Sequence, residues 1–288
     1  VSAVPETPRR PLGVFLQGGG SLGAWQAGAL ETLDAAGVGF DAVMGFSIGA
    51  INGSALAFGR LDNALAHWRR LDAFTLRPRP RLRPFAIFSP KPLRSFLDYA
   101  CDDEAAKTAL RAELTLVTAC AADGEPVNAR FTPGGRDGWD GSLIEHATAS
   151  CAIPFVYPPV DIDYRGRRLL LVDGGVPMPR PLDFSPLKNC ADVLILEMTR
   201  ADEVGRRSWT PWRALDQGGR DAGRALVDGG VAGLLRGAKP PRVFRVAPSR
   251  RLEPMMLDFR SAGLRGMLAQ GAEDARAFLA APAAFRVR

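Results

Sequence analysis

Between an apolar run at residues 40–46 and the small-residue stretch Ala50-Ile51-Asn52-Gly53-Ser54-Ala55-Leu56 lies Gly45-Phe46-Ser47-Ile48-Gly49, a G-x-S-x-G pentapeptide. No other feature narrows the folds open to this chain so far. The run before it reads as a strand and the stretch after it can start a helix, so these five residues must reverse the backbone between the two. A serine at the apex of such a turn is held in a strained conformation that lifts its hydroxyl clear of the sheet. Gly45 and Gly49, two residues to either side, let strand and helix approach without clash. The pattern predicts an α/β chain with a nucleophile elbow and a serine placed for attack.

The remaining pattern extends the same alternation. Residues 12–17 form a short apolar strand, followed by the loop Gly18-Gly19-Gly20-Ser21-Leu22-Gly23. Leu22, Trp25, Ala29, Leu33 and Ala36 then recur at helical spacing, and Gly37 closes that helix. Further strands are expected at 41–46, 113–120, 193–198 and 243–246, with a hairpin of 160–164 and 167–172 turning at Arg165-Gly166. Helices are expected at 61–71 and around Leu264, Met267, Gly271, Ala275 and Phe278. Residues 77–92 and 200–225 carry the weakest pattern. Strands alternating with helices predict an α/β/α arrangement around a mainly parallel, mixed sheet.

With 288 residues, 47% of them hydrophobic, the chain can bury one large core. The expected organisation is a flexible segment at 1–11 and a single domain at 12–288, its motifs concentrated in 12–182 and its C-terminal part at 183–288. No run approaches the roughly 18 apolar residues of a membrane span. The proline- and arginine-bearing start has no apolar h-region, so a signal peptide is not expected. Cys101, Cys120, Cys151 and Cys190 form no C-x-x-C pair and fit no zinc spacing. Cys120 and Cys190 read as core thiols, and reduced thiols suit a cytoplasmic protein. The net charge of +6 is spread along the chain with few aromatics interleaved, which argues against nucleic acid and leaves peripheral contact with an anionic membrane open.

A serine hydroxyl needs a base. The chain has two histidines, His67 on an expected helix and His146 before Ala147-Thr148-Ala149-Ser150-Cys151-Ala152-Ile153-Pro154. The ordinary α/β-hydrolase order places the triad histidine last, after the acid. No histidine follows residue 146, so that order is closed. The alternative is a Ser–Asp dyad. Asp173, in Asp173-Gly174-Gly175, ends an expected strand, where open α/β sheets place their sites. Asp228-Gly229-Gly230 repeats the tripeptide within a helical segment, where it reads as a helix break. The Gly18–Gly23 loop supplies unobstructed backbone N–H groups for an oxyanion, with Gly19, Gly20 and Ser21 as donors and Ile48 as helper. The loop also fits G-x-G-x-x-G, the dinucleotide fingerprint. That reading wants an acidic residue at the end of the next strand, where Phe46-Ser47 stand instead.

Gly-Gly-Gly-Ser-Leu-Gly, then Gly-Phe-Ser-Ile-Gly, then Asp-Gly-Gly after a hairpin, in that order, resemble the patatin-like phospholipase family, in a bacterial branch. LQGGGSLGAWQAGAL at 16–30, GFSIGAIN at 45–52 and Ala149-Ser150-Cys151-Ala152-Ile153-Pro154 with Pro158-Pro159-Val160 are similar to it as well. The resemblance implies a three-layer α/β/α fold and a lipid acyl hydrolase working without metal or cofactor. It carries Ser47 over as nucleophile, Asp173 as proton acceptor and Gly18, Gly20 and Gly23 as the oxyanion loop. Two positions depart from the pattern: Leu22 stands where many members have Arg or Lys, and Pro179 where Asn is usual. A lipid-binding or regulatory module on the same fold is the alternative. In the Arg/Pro segment, Arg77, Arg79, Arg81 and Arg83 followed by Phe85, Ile87 and Phe88 suggest either a membrane-docking lid or, more simply, a solvated loop whose aromatics pack on the core.

Overall fold

In the computed structural model, residues 7–71, 80–82, 85–136, 138–176 and 180–287 are described. In chain order the elements are β1 (Leu12–Leu16), α1 (Gly23–Ala35), β2 (Ala42–Phe46), α2 (Ile48–Ala57), α3 (Leu61–Arg70), the short pair β3 (Arg81–Leu82) and β4 (Phe85–Ala86), α4 (Lys91–Arg94) and α5 (Asp103–Ala109). They continue with β5 (Glu113–Cys120), β6 (Pro126–Phe131), α6 (Leu143–Ser150), β7 (Val160–Tyr164), β8 (Arg167–Asp173), β9 (Asp192–Leu196), α7 (Pro211–Leu235), β10 (Arg242–Val246) and α8 (Ser261–Ala280).

The main sheet runs β10-β9-β1-β2-β5-β8-β7, and β6 also pairs with β5. From β10 to β5 all neighbours are parallel. β8, β7 and β6 join antiparallel. The expected hairpin turns at Arg165 and Gly166, whose φ values of 52° and 75° are the positive angles a tight hairpin turn needs.

Alternation along the buried strands separates two apolar layers. Val14 and Leu16 face α1, α2, α3 and α8, whereas Phe15 between them faces Phe184 and the α7 residues Leu226, Val227 and Val231. Burying each such side chain contributes roughly 1.5–3 kcal/mol. Helices on both faces of one mixed sheet make the three-layer α/β/α fold.

Two expectations change. Residues 211–225 are not irregular: they begin α7, a 25-residue helix. Gly229-Gly230 does not break that helix, because the lack of side chains lets it lie close to its neighbours; a methyl group at Gly230 would sit 2.5 Å from the Phe184 ring. The residues just before β1 are held by ion pairs. Arg9 pairs with Asp192, and Arg10 pairs with Asp41, whose carboxylate also accepts from Leu12 N at 2.7 Å. All four cysteines are free; Cys120, Cys151 and Cys190 are buried. Among the described residues no helix is long and apolar enough to cross a membrane.

Candidate active site

Ser47 connects the C-terminal end of β2 to the first turn of α2. Its φ of 53° and ψ of −131° lie outside the common basins for a non-glycine residue. The turn closes because Gly49 carries no side chain: a methyl group there would lie 2.1 Å from the Leu16 carbonyl oxygen. Ser47 N–H donates to Ser150 Oγ at 2.9 Å, and Ser150 Oγ–H donates to the Val117 carbonyl at 2.6 Å. The hydroxyl of α6 thus bridges the elbow to β5 and fixes the strained backbone.

Asp173 reaches the same level through sheet register. Phe46 pairs with Val117, and the next residue of β5, Thr118, pairs with Asp173. Beyond Asp173 the chain turns back across the sheet. A methyl group at Gly174 would lie 2.5 Å from the Val117 carbonyl oxygen and 2.9 Å from Phe46 Cβ, so only glycine passes there. The carboxylate is buried. Its Oδ1 accepts from Gly175 N at 2.6 Å, and Asp173 N donates to the Ala152 carbonyl at 3.1 Å. Oδ2 makes no hydrogen bond of full geometry among the described residues. Burial pushes the Asp173 pKa up to about 7, a rise that the neighbouring Ser47 hydroxyl and the Gly175 N–H only partly offset.

The glycine loop lies against the elbow, for a methyl group at Gly18 would sit 2.7 Å from Ser47 Cβ. Among the described residues the N–H groups of Gly18, Gly19 and Gly20 have no hydrogen-bond partner, and neither has that of Ile48. Ser21 differs from its sequence expectation as an oxyanion donor. Its N–H donates to the Met256 carbonyl at 2.7 Å and its hydroxyl to the Met255 carbonyl at 2.9 Å. It pins the loop to a distant segment instead. Gly23 opens α1 and packs against Ile48, where a methyl group would come within 2.5 Å.

A narrow, mostly apolar pocket of about 40 Å³ opens beside Ser47, walled by Trp68, Leu71, Phe96, Cys151, Ile153, Tyr157, Leu257 and Phe259. Burial and the Asp173 charge raise the Cys151 thiol pKa well above its ordinary value, so it stays a neutral wall. Neither histidine lines this pocket. His67 Nδ1 faces the Asn63 carbonyl at 2.9 Å on its own helix. His146 is enclosed by Phe131 and Tyr164, with Nε2 at 2.8 Å from the Asp140 carbonyl, and burial lowers its pKa. Asp228 lies on α7 and pairs with Arg245 at 2.6 Å. Phe88 leans on Tyr157, with ring centroids 6.0 Å apart. Arg77, Arg79, Arg83 and Pro179 lie outside the described residues, as do the side chains of Arg81 and Phe85.

Several positioning groups escape sequence reasoning. Asn52 Nδ2 donates to the Gly23 carbonyl at 3.0 Å and to Gln26 Oε1 at 3.1 Å, and Trp68 Nε1 donates to Asn52 Oδ1 at 3.0 Å. This buried network locks α1, α2 and α3 around the elbow. Ser150 belongs with it. Both Asn52 and Ser150 fall inside the segments that resemble the family, which was the signal available for them.

Comparison with known proteins agrees with this fold. The profile of the patatin-like phospholipase family matches residues 14–184, more than half of the chain. No curated protein matches by sequence. Among solved structures, VipD from Legionella pneumophila superposes with a TM-score of 0.52 at 13% identity, over 94% of this chain and 67% of that one. ExoU, in the ExoU–SpcU complex from the type III secretion system of Pseudomonas aeruginosa, gives a TM-score of 0.39 at 19% identity over 95% of this chain. The chain spans 53% of the length of ExoU. At 13% identity the likeness to VipD speaks of fold alone. The matched span holds the glycine loop, the Ser47 elbow and Asp173 within a three-layer fold, and the chain belongs to the patatin-like phospholipase family.

Proposed function

We propose that this protein hydrolyses carboxylic esters of lipids through a Ser47–Asp173 dyad and an acyl-enzyme. The observation that carries the reading is a buried carboxylate, its pKa raised to about 7, placed beside the hydroxyl of a serine held at a strained elbow. A base with a pKa close to neutrality is partly ionised at working pH and still accepts a proton with useful driving force. Asp173 takes the Ser47 proton as Oγ attacks the ester carbonyl. The negative charge developing on the carbonyl oxygen meets the unpartnered N–H groups of Gly18, Gly19, Gly20 and Ile48. Asp173 then returns the proton to the leaving alcohol, and water releases the acyl group by the same steps in reverse order. The apolar wall from Trp68 to Phe259 suits the acyl chain.

Purified protein tests this with p-nitrophenyl acyl esters and an active-site fluorophosphonate. Ser47→Ala is expected to abolish both turnover and labelling. Turnover in the parent should rise with pH through about 7, because Asp173 acts as base only when ionised. Undiminished turnover in Ser47→Ala would sink the catalytic assignment. A parent protein that neither labels nor turns over ester would leave the lipid-binding module as the better reading.

A further inference from the structure

The start of α7 breaks the usual rule for a surface helix. Its buried stripe runs Gln217, Arg220, Gly223, Leu226, Val227, Gly230, Val231 and Leu234, and so begins only after the first turn and a half. Before that point the large apolar side chains face outward: Trp209 is 99% exposed, Trp212 75% and Leu215 71%. Val204, five residues before Trp209, is exposed too. Single exposed apolar residues are ordinary, but two tryptophans and a leucine in one short stretch are not. Nor is this a loose tail. Gln217 Nε2 donates to the Glu203 carbonyl at 2.8 Å and Gly205 N donates to Asp221 Oδ2 at 3.1 Å, which strap residues 203–205 along α7. Arg206, Arg207 and Arg213 are exposed on the same stretch and make no ion pair among the described residues. The acidic groups nearby are already engaged, Asp202 with Arg200 and Asp216 with Arg220.

This patch is coupled to the pocket mouth through one segment. Asp216, on the turn after Trp212, accepts from Met256 N at 2.6 Å through Oδ1, and Arg220 Nη2 donates to the Leu252 and Pro254 carbonyls at 3.0 and 2.6 Å. Met255 and Met256 in turn receive Ser21 of the glycine loop. The next residues on that segment, Leu257 and Phe259, line the Ser47 pocket, with Leu257 54% exposed.

We propose that residues 204–215 form an interfacial anchor that seats the pocket mouth on an anionic lipid bilayer. Trp209, Trp212 and Leu215 enter the headgroup level while Arg206, Arg207 and Arg213 meet the anionic headgroups. Tryptophan suits that depth because its ring is apolar and its N–H is polar, and arginine binds phosphate in a planar fork. The inference rests on the lipid-hydrolase reading for the direction in which the mouth must face. The anchor itself stands on exposure and charge.

The test uses the full chain and vesicles of phosphatidylcholine with or without phosphatidylserine. The Ser47→Ala protein should co-sediment with the phosphatidylserine vesicles, whatever becomes of catalysis. Adding Trp209→Ala, Trp212→Ala and Leu215→Ala should weaken that binding at least ten-fold, and reversing Arg206, Arg207 and Arg213 to Glu should remove the dependence on phosphatidylserine. With Ser47 intact, the triple alanine variant should keep its turnover of a dispersed short-chain ester and lose at least ten-fold on vesicle phospholipid. Vesicle binding unchanged in the alanine variant overturns the anchor. So does a parent that ignores vesicles but self-associates through these same residues, which would make the patch a subunit interface. Ester turnover surviving in Ser47→Ala would overturn the dyad alone and leave the anchor standing.

Discussion

The tripeptide Asp-Gly-Gly occurs twice in this chain, at 173–175 and at 228–230, and the two copies have opposite fates. Asp173 ends a strand, is buried, and has its pKa raised to about 7 beside the Ser47 hydroxyl. Asp228 sits in the middle of α7, half-exposed, held by Arg245 and, at 3.6 Å, by Arg224. The glycines differ too: Gly174 passes over the Val117 carbonyl and Phe46 with no room for a side chain, whereas a methyl group at Gly229 would meet only the Pro181 ring, at 3.1 Å. What separates the two carboxylates is therefore not the tripeptide but the partner each one finds. One aspartate has a hydroxyl and no cation, the other has two cations.

Substitution at the two aspartates should separate them most. Asp173→Asn is expected to lower kcat on a p-nitrophenyl ester by about a thousand-fold or more, the scale of losing an essential base. Asp228→Asn should stay within about two-fold, and the reverse ranking would exchange the roles. Stability gives the next largest contrast. An unfolded Asp titrates near 3.8 and the folded Asp173 near 7, so the stability this group contributes is complete below pH 4 and lost as pH rises through about 7. Asp173→Asn should stabilise the fold at pH 8 by up to about 4 kcal/mol and leave it unchanged at pH 4, as read from urea unfolding. Equal effects at both pH values would break this account.

The glycines should differ less. Gly174→Ala meets backbone at 2.5 Å and should cost about 2–4 kcal/mol, whereas Gly229→Ala meets only the Pro181 ring and gains helix propensity, for a net change within about 1 kcal/mol. Thermal denaturation of the two variants checks the difference. Ser150→Ala should have a modest effect, about ten-fold in kcat with KM held, because the Ser47 N–H then loses its buried acceptor. Fluorophosphonate labelling should slow in proportion, and Ser150→Thr should restore it.

What the sequence made legible follows from locality. The elbow, the glycine loop and the hairpin before Asp173 are each constrained by residues a few positions apart, and β1, β2, β5 and β8 carry enough apolar pattern to be read directly. Ser21 misled because its N–H is claimed by Met256, 235 positions away, and no local pattern announces such a contact. Ser150 was hidden for the same reason, its bond to Ser47 spanning 103 positions. α7 failed differently. Glycine disfavours a helix interior by about 1 kcal/mol each, and α7 holds Gly218, Gly219, Gly223, Gly229, Gly230 and Gly233. Propensity argued against it, but the same glycines let it settle against Met256, Gln17 and Phe184, and packing decided.

The register across β5 has a consequence for how such a protein can change over time. Ser47 and Asp173 are aligned by strand pairing through Val117 and Thr118, not by the length of chain between them. Trp68, Leu71 and Phe96, which wall the pocket, belong to the stretch that leaves the sheet after α2 and rejoins it at β5. Substitutions at Leu71 and Phe96 can remodel that part of the wall while Ser47 and Asp173 keep their alignment, whereas Trp68 is tied to the elbow through Asn52. On the proposed function, pocket shape and the dyad are thus carried by separable parts of one domain, and diversification of the pocket should concentrate at wall positions that carry no bond to the elbow, such as Leu71, Phe96 and Leu257.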